Sequence, residues 1–428
     1  MRKPVQFLAI AIPALLLLAA FIYFLPAIQS KLGWRLEALW ADIHYALNPP
    51  EQAVFVPGAQ ATGVIPTPLP PTAQPSPTAT ISLAATEPTE QPTLPPLPTL
   101  VPTPLPPQAS LTGILHQYQM WNNCGPANLS MALSFWGWKG DQRDTAVFLK
   151  PNDRDKNVMP YEMEEFVEQE TDLDAVVRVG GEAQILKAFI SAGFPVIAEK
   201  GFEGVGFDGW MGHYQVVSGY DDAAQTFTVQ DSYKGPDLTI PYDEFLSQWR
   251  AFNYTYLVIY PPDRRQQALQ ILGLQAYDNF NNHYAAQIAL DETSSLTGRD
   301  LYFAWFNRGT SLVALQDYTA AAQAFDTAFA LYPQIPEEMR PWRMMWYQTG
   351  PYFAYYYTGR YQDIINLATQ TLEAMSEPIL EESYYWRARA YNALGQSEAA
   401  IGDLEQCLEA HPEFEPCMQE LSLLGVEP

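Results

Sequence analysis

The sequence predicts a multidomain protein in four parts: an N-terminal transmembrane helix, a Pro/Thr-rich linker, an α+β domain and an all-α helical-repeat domain. Three observations predict this organisation: an uncharged apolar run near the N-terminus, a sharp rise in proline content after it, and recurring helical hairpin patterns after residue 262. A chain of 428 residues is too long for one compact core. We expect the four parts to occupy residues 1–48, 49–109, 110–262 and 263–428.

The first part is predicted to be a membrane anchor with a short juxtamembrane helix. Residues 7–28 are apolar and uncharged and follow Arg2 and Lys3, and about 20 such residues span a bilayer as a helix. A cleaved signal peptide is the alternative, but the run is long for one and a poor cleavage sequence follows it. We expect a retained single-pass anchor in the cell membrane, with the soluble domains extracytoplasmic. Residues 34–47 suit either a helix on the membrane surface or a continuation of the anchor.

The second part has the composition of a stiff, extended linker. About half of the 37 prolines lie between residues 49 and 107, interleaved with threonine, alanine and leucine. Such a sequence cannot bury a core and adopts polyproline-like conformations that rise about 3.1 Å per residue. We expect this linker to hold the following domain away from the membrane.

Charge and cysteine content exclude several classes of function. The formal net charge is −25, whereas nucleic-acid binding needs clustered Lys and Arg, so we expect no nucleic-acid partner. The five histidines are scattered and the three cysteines do not cluster, so the sequence predicts no metal and no cofactor. Cys407 and Cys417 could pair in a disulfide if the C-terminal part is exported, which would leave Cys124 unpaired.

The third part mixes helical and strand patterns. Pro126 suits the first turn of a helix, and the apolar residues after it predict a buried helix that begins just after Cys124. Apolar and aromatic stretches predict strands at 194–198, 214–217, 226–229 and 254–260. The stretch from Gly201 to Gly212 leads into a strand rather than a helix, so it is not a dinucleotide-binding loop. It forms either a wall of a substrate cleft, with Trp210 in contact with substrate, or a plain surface loop.

Within this part, Cys124, His213 and Asp231 follow one another in the order that a thiol hydrolase needs. A nucleophilic thiol requires a base, and the base requires a group that orients it. A helix that begins at the cysteine also favours the thiolate through its N-terminal dipole. Each residue alone has a structural explanation, since a lone cysteine is usually a small buried apolar residue. The catalytic hypothesis rests on the conjunction of the three.

Strand register tests whether His213 and Asp231 can meet. Two predicted strands flank Asp221-Asp222-Ala223, which has the composition of a hairpin loop. With residue 222 at the centre, positions 213 and 231 are directly opposed, and opposed residues share a face of the sheet. We therefore expect Asp231 to accept a hydrogen bond from His213. A register shifted by one residue would place the two side chains on opposite faces.

The run Gln119-Met120-Trp121-Asn122-Asn123-Cys124-Gly125-Pro126-Ala127, with the later His213 and Asp231, resembles the papain-like C39 peptidases and specifically their stand-alone C39-like domains. The resemblance covers roughly residues 110–262 and implies a papain-like domain that cleaves peptide bonds. It also implies that the side-chain amide of Gln119, together with the backbone N–H of Cys124, stabilises the oxyanion; Gln117 is the alternative donor. A transporter role is not implied, because the chain has no phosphate-binding loop of the form G-x-x-x-x-G-K-[ST].

The fourth part repeats a helical hairpin pattern, with matching turns at Leu315, Thr358 and Leu394. The first and last copies resemble tetratricopeptide repeats, whose period is about 34 residues. The middle copy departs from this pattern and carries an insertion at 333–341, and residues 266–290 suggest a further degenerate helix pair. Such repeats stack into a concave surface that binds peptides or proteins. A helical domain that only supports its neighbour is the alternative.

These features together predict a membrane-anchored, extracytoplasmic cysteine peptidase that acts through Cys124, His213, Asp231 and Gln119. Its partners would be a peptide or protein substrate, the membrane, and a protein recruited by the repeats. Two alternatives use the same fold. One is a catalytically inactive C39-like module that binds peptides, and the other is a thiol acyltransferase or amidase.

Overall fold

The computed structural model of the protein describes residues 43, 55–58, 104–152, 154–203 and 209–427. The predicted membrane anchor, most of the predicted linker and the centre of the glycine-rich stretch lie outside these residues. None of the helices in the described ranges is long and apolar enough to span a membrane. The described part comprises an α+β domain with an antiparallel sheet, followed by an all-helical repeat region.

An antiparallel sheet of seven described strands forms the centre of the α+β domain. The strands are β1 (Gln108–Ser110), β2 (Asp174–Arg178), β3 (Val196–Phe202), β4 (Met211–Asp221), β5 (Thr226–Asp231), β6 (Gly235–Pro241) and β7 (Tyr256–Tyr260). Their order is β2-β7-β3-β4-β5-β6, and β1 pairs with the end of β4, beyond the residues that pair with β3. Strand β4 is therefore hydrogen-bonded along both of its edges.

Helices cover both faces of this sheet. They are α1 (Cys124–Phe135), α2 (Gln142–Leu149), α3 (Pro160–Glu170), α4 (Ala183–Ser191) and α5 (Tyr242–Arg250). Side chains alternate between faces along a strand, so Tyr214 and Val216 pack with α1 and α3, whereas Val217 packs with α4 and α5. Because both faces are covered, β3 and β4 are buried along almost all of their length. Every polar side chain on these two strands therefore needs a partner.

Four of the seven strands and the central helix are where the sequence predicts them. The predicted strands coincide with β3, β4, β5 and β7, and the helix predicted just after Cys124 begins at Cys124 itself. Every residue of α1 from Gly125 to Ser134 is buried, which explains why its sequence is apolar on all sides. The sequence did not indicate β1, β2 or β6. Strand β1 has only three residues, and β6 is mostly exposed and contains Pro236 and Pro241.

Ten α-helices follow the sheet domain. They are α6 (Arg265–Leu272), α7 (Asp278–Glu292), α8 (Gly298–Ala314), α9 (Tyr318–Leu331), α10 (Met344–Tyr347), α11 (Gly350–Tyr357), α12 (Tyr361–Glu373), α13 (Glu381–Ala393), α14 (Ser397–Ala410) and α15 (Glu415–Leu423). The turns predicted at Leu315, Thr358 and Leu394 directly follow α8, α11 and α13. The two helices predicted at 266–290 belong to different parts of the fold. Helix α6 packs against α4 of the sheet domain, whereas α7 packs on α8.

The two C-terminal cysteines, whose pairing the sequence left open, form a disulfide. Cys407 lies on α14 and Cys417 on α15, and both are fully buried. The bond joins the last helix of the chain to the helix before it. Cys124 is the one free cysteine of the three.

Aromatic packing joins the sheet domain to the repeats. Trp210, one residue before β4, is 2% exposed and stacks on Phe252 with ring centroids 5.6 Å apart. Phe303 of α8 and Tyr347 of α10 pack against the same indole. The hypothesis that Trp210 contacts substrate in a cleft is therefore wrong. The repeats cover this side chain, and a contact over such a sequence separation leaves no local signal in the sequence.

A short piece of the predicted linker packs on the repeats instead of remaining extended. Phe55 is 5% exposed, and its ring lies 4.9 Å from that of Phe329 and 6.1 Å from that of Tyr355. Three residues later, the backbone N–H of Gly58 donates to Oδ1 of Asp363 at 2.8 Å. Residues 55–58 thus use one buried ring and one hydrogen bond to attach the linker to the repeat region.

Replacing Phe55 with alanine should destabilise the repeat region by about 3 kcal/mol, because a buried aromatic ring is removed and a cavity remains. The measurement is the urea dependence of unfolding of the full chain, followed by circular dichroism at the helical minimum. Val56→Ala is the matched control, since Val56 is 73% exposed and should leave the midpoint unchanged. Equal midpoints for the two variants would show that the segment does not pack on the repeats.

Candidate active site

Cys124 is the first residue of α1, at the end of the helix where backbone N–H groups have no partner within the helix. Its side chain is partly exposed, whereas the next ten residues of the helix are buried. The thiol therefore faces both the helix dipole and solvent. This position suits a nucleophile, because the dipole favours the thiolate and the exposed side admits a substrate.

Gln142, at the start of α2, holds the turn that presents Cys124. Its Oε1 accepts hydrogen bonds from the backbone N–H of Met120 at 2.8 Å and from Nδ2 of Asn123 at 3.0 Å. Its Nε2 donates to the carbonyl of Tyr118 at 2.8 Å. One buried carboxamide thus fixes three points of the segment before the cysteine. The sequence analysis did not identify Gln142, since nothing at position 142 relates it to a motif more than 15 residues away.

Asn122, two residues before Cys124, adopts a left-handed backbone conformation with φ of 50°. Asparagine tolerates this region better than most residues. The carbonyl of Asn122 accepts a hydrogen bond from Nζ of Lys150 at 3.1 Å. The sharp turn explains why the motif needs asparagine rather than a β-branched residue at this position.

His213 and Asp231 form a fully buried ion pair. Nε2 of His213 lies 3.2 Å from Oδ1 of Asp231, and the two side chains are 2% and 0% exposed. The backbone N–H groups of Tyr233 and Lys234 also donate to Oδ1 of Asp231, at 2.7 and 2.8 Å. Nε2 of Gln215 donates to its other oxygen. Asp231 therefore accepts four hydrogen bonds and is held in one orientation.

A hydrogen bond with the Cys124 side chain is among the causes that raise the pKa of His213, so the thiol lies within reach of the imidazole. Because Asp231 occupies Nε2, Nδ1 is the nitrogen left for the thiol. The structure thus brings together the three residues that the sequence placed in a catalytic order: a thiol at a helix N-terminus, an imidazole and a carboxylate that orients the imidazole.

The strand register differs from the predicted one by two residues. Val216 pairs with Gln230 and Val217 with Val229, and a β-bulge follows between Val217 and Gly219. By continuation, Asp231 lies opposite Gln215 rather than opposite His213, so the directly opposed pairing was wrong. A two-residue shift keeps side chains on the same face, so His213 is the diagonal neighbour of Asp231 and still reaches it.

The pKa values of both members of the ion pair are strongly shifted. Burial disfavours the charged form of His213, but the charge of Asp231 and the hydrogen bonds to Asp231 and Cys124 raise its pKa from 6.5 to about 9. Burial also opposes ionisation of Asp231, yet the charge and hydrogen bond of His213, with the bonds from Lys234 and Gln215, lower its pKa below the ordinary range. At neutral pH the imidazole is therefore protonated and the carboxylate ionised.

This pair stabilises the fold over a defined pH range. The raised pKa of His213 contributes stability that is complete below pH 6.5 and is lost as pH rises through about 9. The lowered pKa of Asp231 contributes stability that is present above its ordinary value of 3.8 and is lost as pH falls further. Both contributions to stability are therefore complete only between pH 3.8 and pH 6.5, the ordinary pKa values of the two groups.

The two candidate oxyanion donors, Gln119 and Gln117, have different hydrogen-bond partners. Oε1 of Gln119 accepts a hydrogen bond from Oγ of Ser232 at 2.7 Å, and Ser232 in turn accepts one from Nδ2 of Asn128 at 2.9 Å. These two hydrogen bonds fix the carboxamide oxygen of Gln119 and leave its NH₂ group as a potential donor. Oε1 of Gln117 instead accepts from the backbone N–H of Gln142 at 3.0 Å. Both glutamines are thus held through Oε1, and they differ in what holds them: the partners of Gln119 lead to Asn128, which also donates to the carbonyl of Cys124 at 2.9 Å, whereas the partner of Gln117 lies on α2.

Gly125 is required by a close contact within the protein. A Cβ at this position would lie 2.9 Å from Cβ of Val158. The hydroxyl of Tyr214 donates to the carbonyl of Val158 at 2.8 Å, so this segment is fixed against β4. The glycine therefore lets Val158 approach the helix.

A second buried carboxyl group, on Glu199 of β3, lies within electrostatic reach of Cys124. Burial raises its pKa well above the ordinary range, and a hydrogen bond with Tyr214 only partly opposes this. Burial and the nearby thiolate of Cys124 thus both favour the neutral form of Glu199. The sequence held a signal that we did not use: Glu199 and Lys200 interrupt an otherwise apolar strand.

The repeats contribute a side chain to the edge of this site. Tyr347 of α10 is partly buried, hydrogen-bonds the backbone of Gly212 and lies within electrostatic reach of Cys124. A Cβ on Gly212 would come within 3.1 Å of the Tyr347 ring. The residue before His213 is therefore held between the sheet domain and the repeat region, a contact that the sequence did not indicate.

Comparisons with known proteins agree with this architecture. Residues 107–257 match the model of the peptidase C39-like family, and residues 304–335 and 381–414 match the tetratricopeptide repeat. A solved structure from Bacillus anthracis, described as a C39-like peptidase, is 16% identical, and the match covers 36% of this chain and 96% of that chain with a TM-score of 0.29. No curated protein matches the chain.

The family matches confirm both resemblances drawn from the sequence. The chain contains a C39-like peptidase-family domain followed by tetratricopeptide repeats. The matched repeats correspond to α8–α9 and α13–α14, the first and last copies of the predicted pattern. The middle copy, with its insertion, falls outside both matches, as its departure from the pattern predicts.

Replacing Asp231 with asparagine should lower the pKa of His213 from about 9 to below 6.5. The substitution removes the favourable charge and leaves the burial that disfavours the imidazolium. Titration of the ring resonances by NMR measures this pKa directly, and Asp243→Asn, at an exposed position on α5, serves as the control. A His213 pKa that stays near 9 in the Asp231→Asn protein would show that another group holds the proton.

Proposed function

We propose that the C39-like peptidase domain of this chain is an active cysteine peptidase that cleaves peptide bonds through Cys124. The observation that carries this proposal is the buried ion pair of His213 and Asp231 together with the hydrogen bond between His213 and Cys124. Burying a histidine and an aspartate is costly unless the two satisfy each other. A protein that needed only a core would use apolar residues at these positions.

The mechanism follows from the protonation states. His213 carries a proton near neutral pH, so the reactive form is a thiolate beside an imidazolium. The thiolate attacks the scissile carbonyl, and the oxyanion forms beside the backbone N–H of Cys124 and the carboxamide NH₂ of Gln119. His213 then donates its proton to the leaving amine as the C–N bond breaks. Water, deprotonated by His213, attacks the thioester, which releases the acid and restores the thiol.

Asp231, Ser232 and Gln142 act as positioning residues in this scheme. Asp231 holds Nε2 of His213, so that Nδ1 faces the thiol. Ser232 orients the carboxamide of Gln119, and Gln142 fixes the turn before Cys124. Pre-oriented donors matter because they need no reorganisation when charge develops on the substrate.

The repeats would bring the protein that is cleaved to the site. Tetratricopeptide repeats bind peptides and proteins through stacked helices, and Tyr347 places the repeat region beside the site itself. We further propose that the apolar run at residues 7–28 anchors the enzyme in the cell membrane and that the catalytic domain is extracytoplasmic. The composition of that run supports this placement.

Cys124→Ser should abolish turnover, and His213→Ala should lower it by about 10⁴-fold or more. The assay incubates the full chain with a diverse peptide mixture and detects new N-termini by mass spectrometry. Wild-type activity should also fall as pH rises through about 9, where His213 loses its proton. His283→Ala is the matched histidine control, since His283 lies on α7, away from the site.

The products separate this proposal from its rivals. Free acids and new amines indicate hydrolysis, whereas acyl groups transferred to an added amine would indicate a transferase. Peptides retained equally by wild type and Cys124→Ser, with no cleavage by either, would indicate a binding module.

Gln119→Ala should lower kcat/KM by about 10² to 10³, the usual cost of losing one oxyanion donor. Gln117→Ala is the matched control and should leave kcat/KM near the wild-type value, because Gln117 is held by the backbone of Gln142 on α2, whereas Gln119 is held by Ser232, which follows Asp231. Steady-state kinetics with a cleaved peptide measures both. The opposite ranking would assign the oxyanion to Gln117.

A further inference from the structure

A group of acidic side chains and one histidine lies where the sheet domain meets the repeats. Glu162 is in the first turn of α3, Glu381 begins α13, and His411 follows α14. One potential ligand atom from each lies within 4.8 Å of the other two. These residues come from segments far apart in the chain, so the sequence shows no ligand spacing.

The carboxylates of this group are buried with incomplete partners. Glu381 is 3% exposed and Glu382 is 7% exposed. Oε1 of Glu381 lies 3.0 Å from Nδ1 of His411, and Oε2 of Glu162 accepts from the backbone N–H of Met159 at 2.7 Å. Within the described ranges, Oε2 of Glu381 and Oε2 of Glu382 find no hydrogen-bond donor. Buried charges normally pair with an opposite charge or coordinate a metal.

The neighbouring cations do not balance this charge. The charge of Lys156 acts on Glu377 and on Asp155, and that of Lys150 acts on Asp155, a further buried carboxyl beside the group. Arg154 pairs with Glu377 at 3.2 Å, outside the group. His411 supplies at most one positive charge, whereas Glu162, Glu381 and Glu382 supply up to three negative ones. The group therefore has both the ligand atoms and the excess negative charge that a divalent cation needs.

We propose that Glu162, Glu381 and His411 bind one divalent metal ion of the zinc type. The donor set decides the class of ion, because imidazole nitrogen with carboxylate oxygen suits zinc. Calcium and magnesium prefer oxygen ligands alone. Bond lengths of about 2.0–2.2 Å separate neighbouring ligands of a tetrahedral site by about 3.3 Å. The observed separation, within 4.8 Å, needs only small side-chain rotations to close.

Such an ion would join the two domains next to the active-site turn. Glu162 belongs to the sheet domain, while Glu381 and His411 belong to the repeats. The residues just before α3 include Val158, which contacts Gly125 beside the nucleophile. The ion would therefore fix this segment against the repeats and act as a structural link, at a site distinct from Cys124 and His213.

The test uses the full chain without an affinity tag, in a Cys124→Ser background, because a thiol and an imidazole can themselves bind zinc. After removal of metal with a chelator, zinc is titrated in competition with a chromophoric chelator. One tightly bound equivalent is expected. Glu381→Gln and His411→Gln should each weaken binding by about 100-fold or more, beyond the usual loss from outer-shell changes. Glu405→Gln, which makes the same charge change at an exposed position on α14, should bind as the parent does.

Thermal unfolding shows whether a variant loses metal binding only because it misfolds. Without metal, Glu381→Gln should melt at or above the temperature of the parent, because it removes an uncompensated buried charge. With zinc, the melting temperature should rise for the parent and for Glu405→Gln but not for Glu381→Gln. Absence of a bound equivalent in the parent, or equal binding by both ligand variants and the control, would overturn the proposal. Binding of calcium in preference to zinc would overturn the assignment of the ion.

Discussion

The buried ion pair between His213 and Asp231 is the interaction on which the rest of the site depends. Neither side chain can reach water, so each must be satisfied by the protein, and the means of doing so organise the local structure. The turn after β5 aims two backbone N–H groups at Asp231, and β4 supplies Gln215. Once the carboxylate is held in this way, the imidazole has one orientation, and its free nitrogen faces the helix that begins at Cys124. The same few contacts thus fix both the pairing of β4 with β5 and the orientation of the imidazole.

The repeats are part of the same structure and not a separate attachment. Trp210 and Gly212 flank the start of β4, and both are packed against side chains of the repeat region. His213 therefore lies on a strand end that the repeats help to hold. A change that loosens this interface would reach the imidazole through its own backbone. The two domains are for this reason expected to depend on each other, although the family matches treat them as separate units.

The sequence predicted features whose signal lies within one segment, and it did not predict features that depend on residues far apart in the chain. The helix at Cys124 and four strands follow from apolar patterns within one segment. The register of β4 and β5 was misjudged because the hairpin loop is longer than predicted, with Asp221 opposite Thr226. The bulge between Val217 and Gly219 takes back one residue and leaves a shift of two, so His213 and Asp231 still meet, since an even shift preserves the face. Gln142, Tyr347 and the group around Glu381 act across long separations in the chain. No pattern in a single sequence connects such residues.

Polar residues in a strand covered on both faces are the one long-range signal that the sequence did contain. Strands β3 and β4 are almost entirely buried, yet they carry Glu199, Lys200, His213 and Gln215. Each of these groups costs free energy unless it is paired, so a fold that needed only a core would replace them with apolar residues. These groups concentrate near the paired ends of β3 and β4, where Lys200 lies opposite His213. Burial of polar groups without a structural need is therefore the physical reason to regard this end of the sheet as an active site.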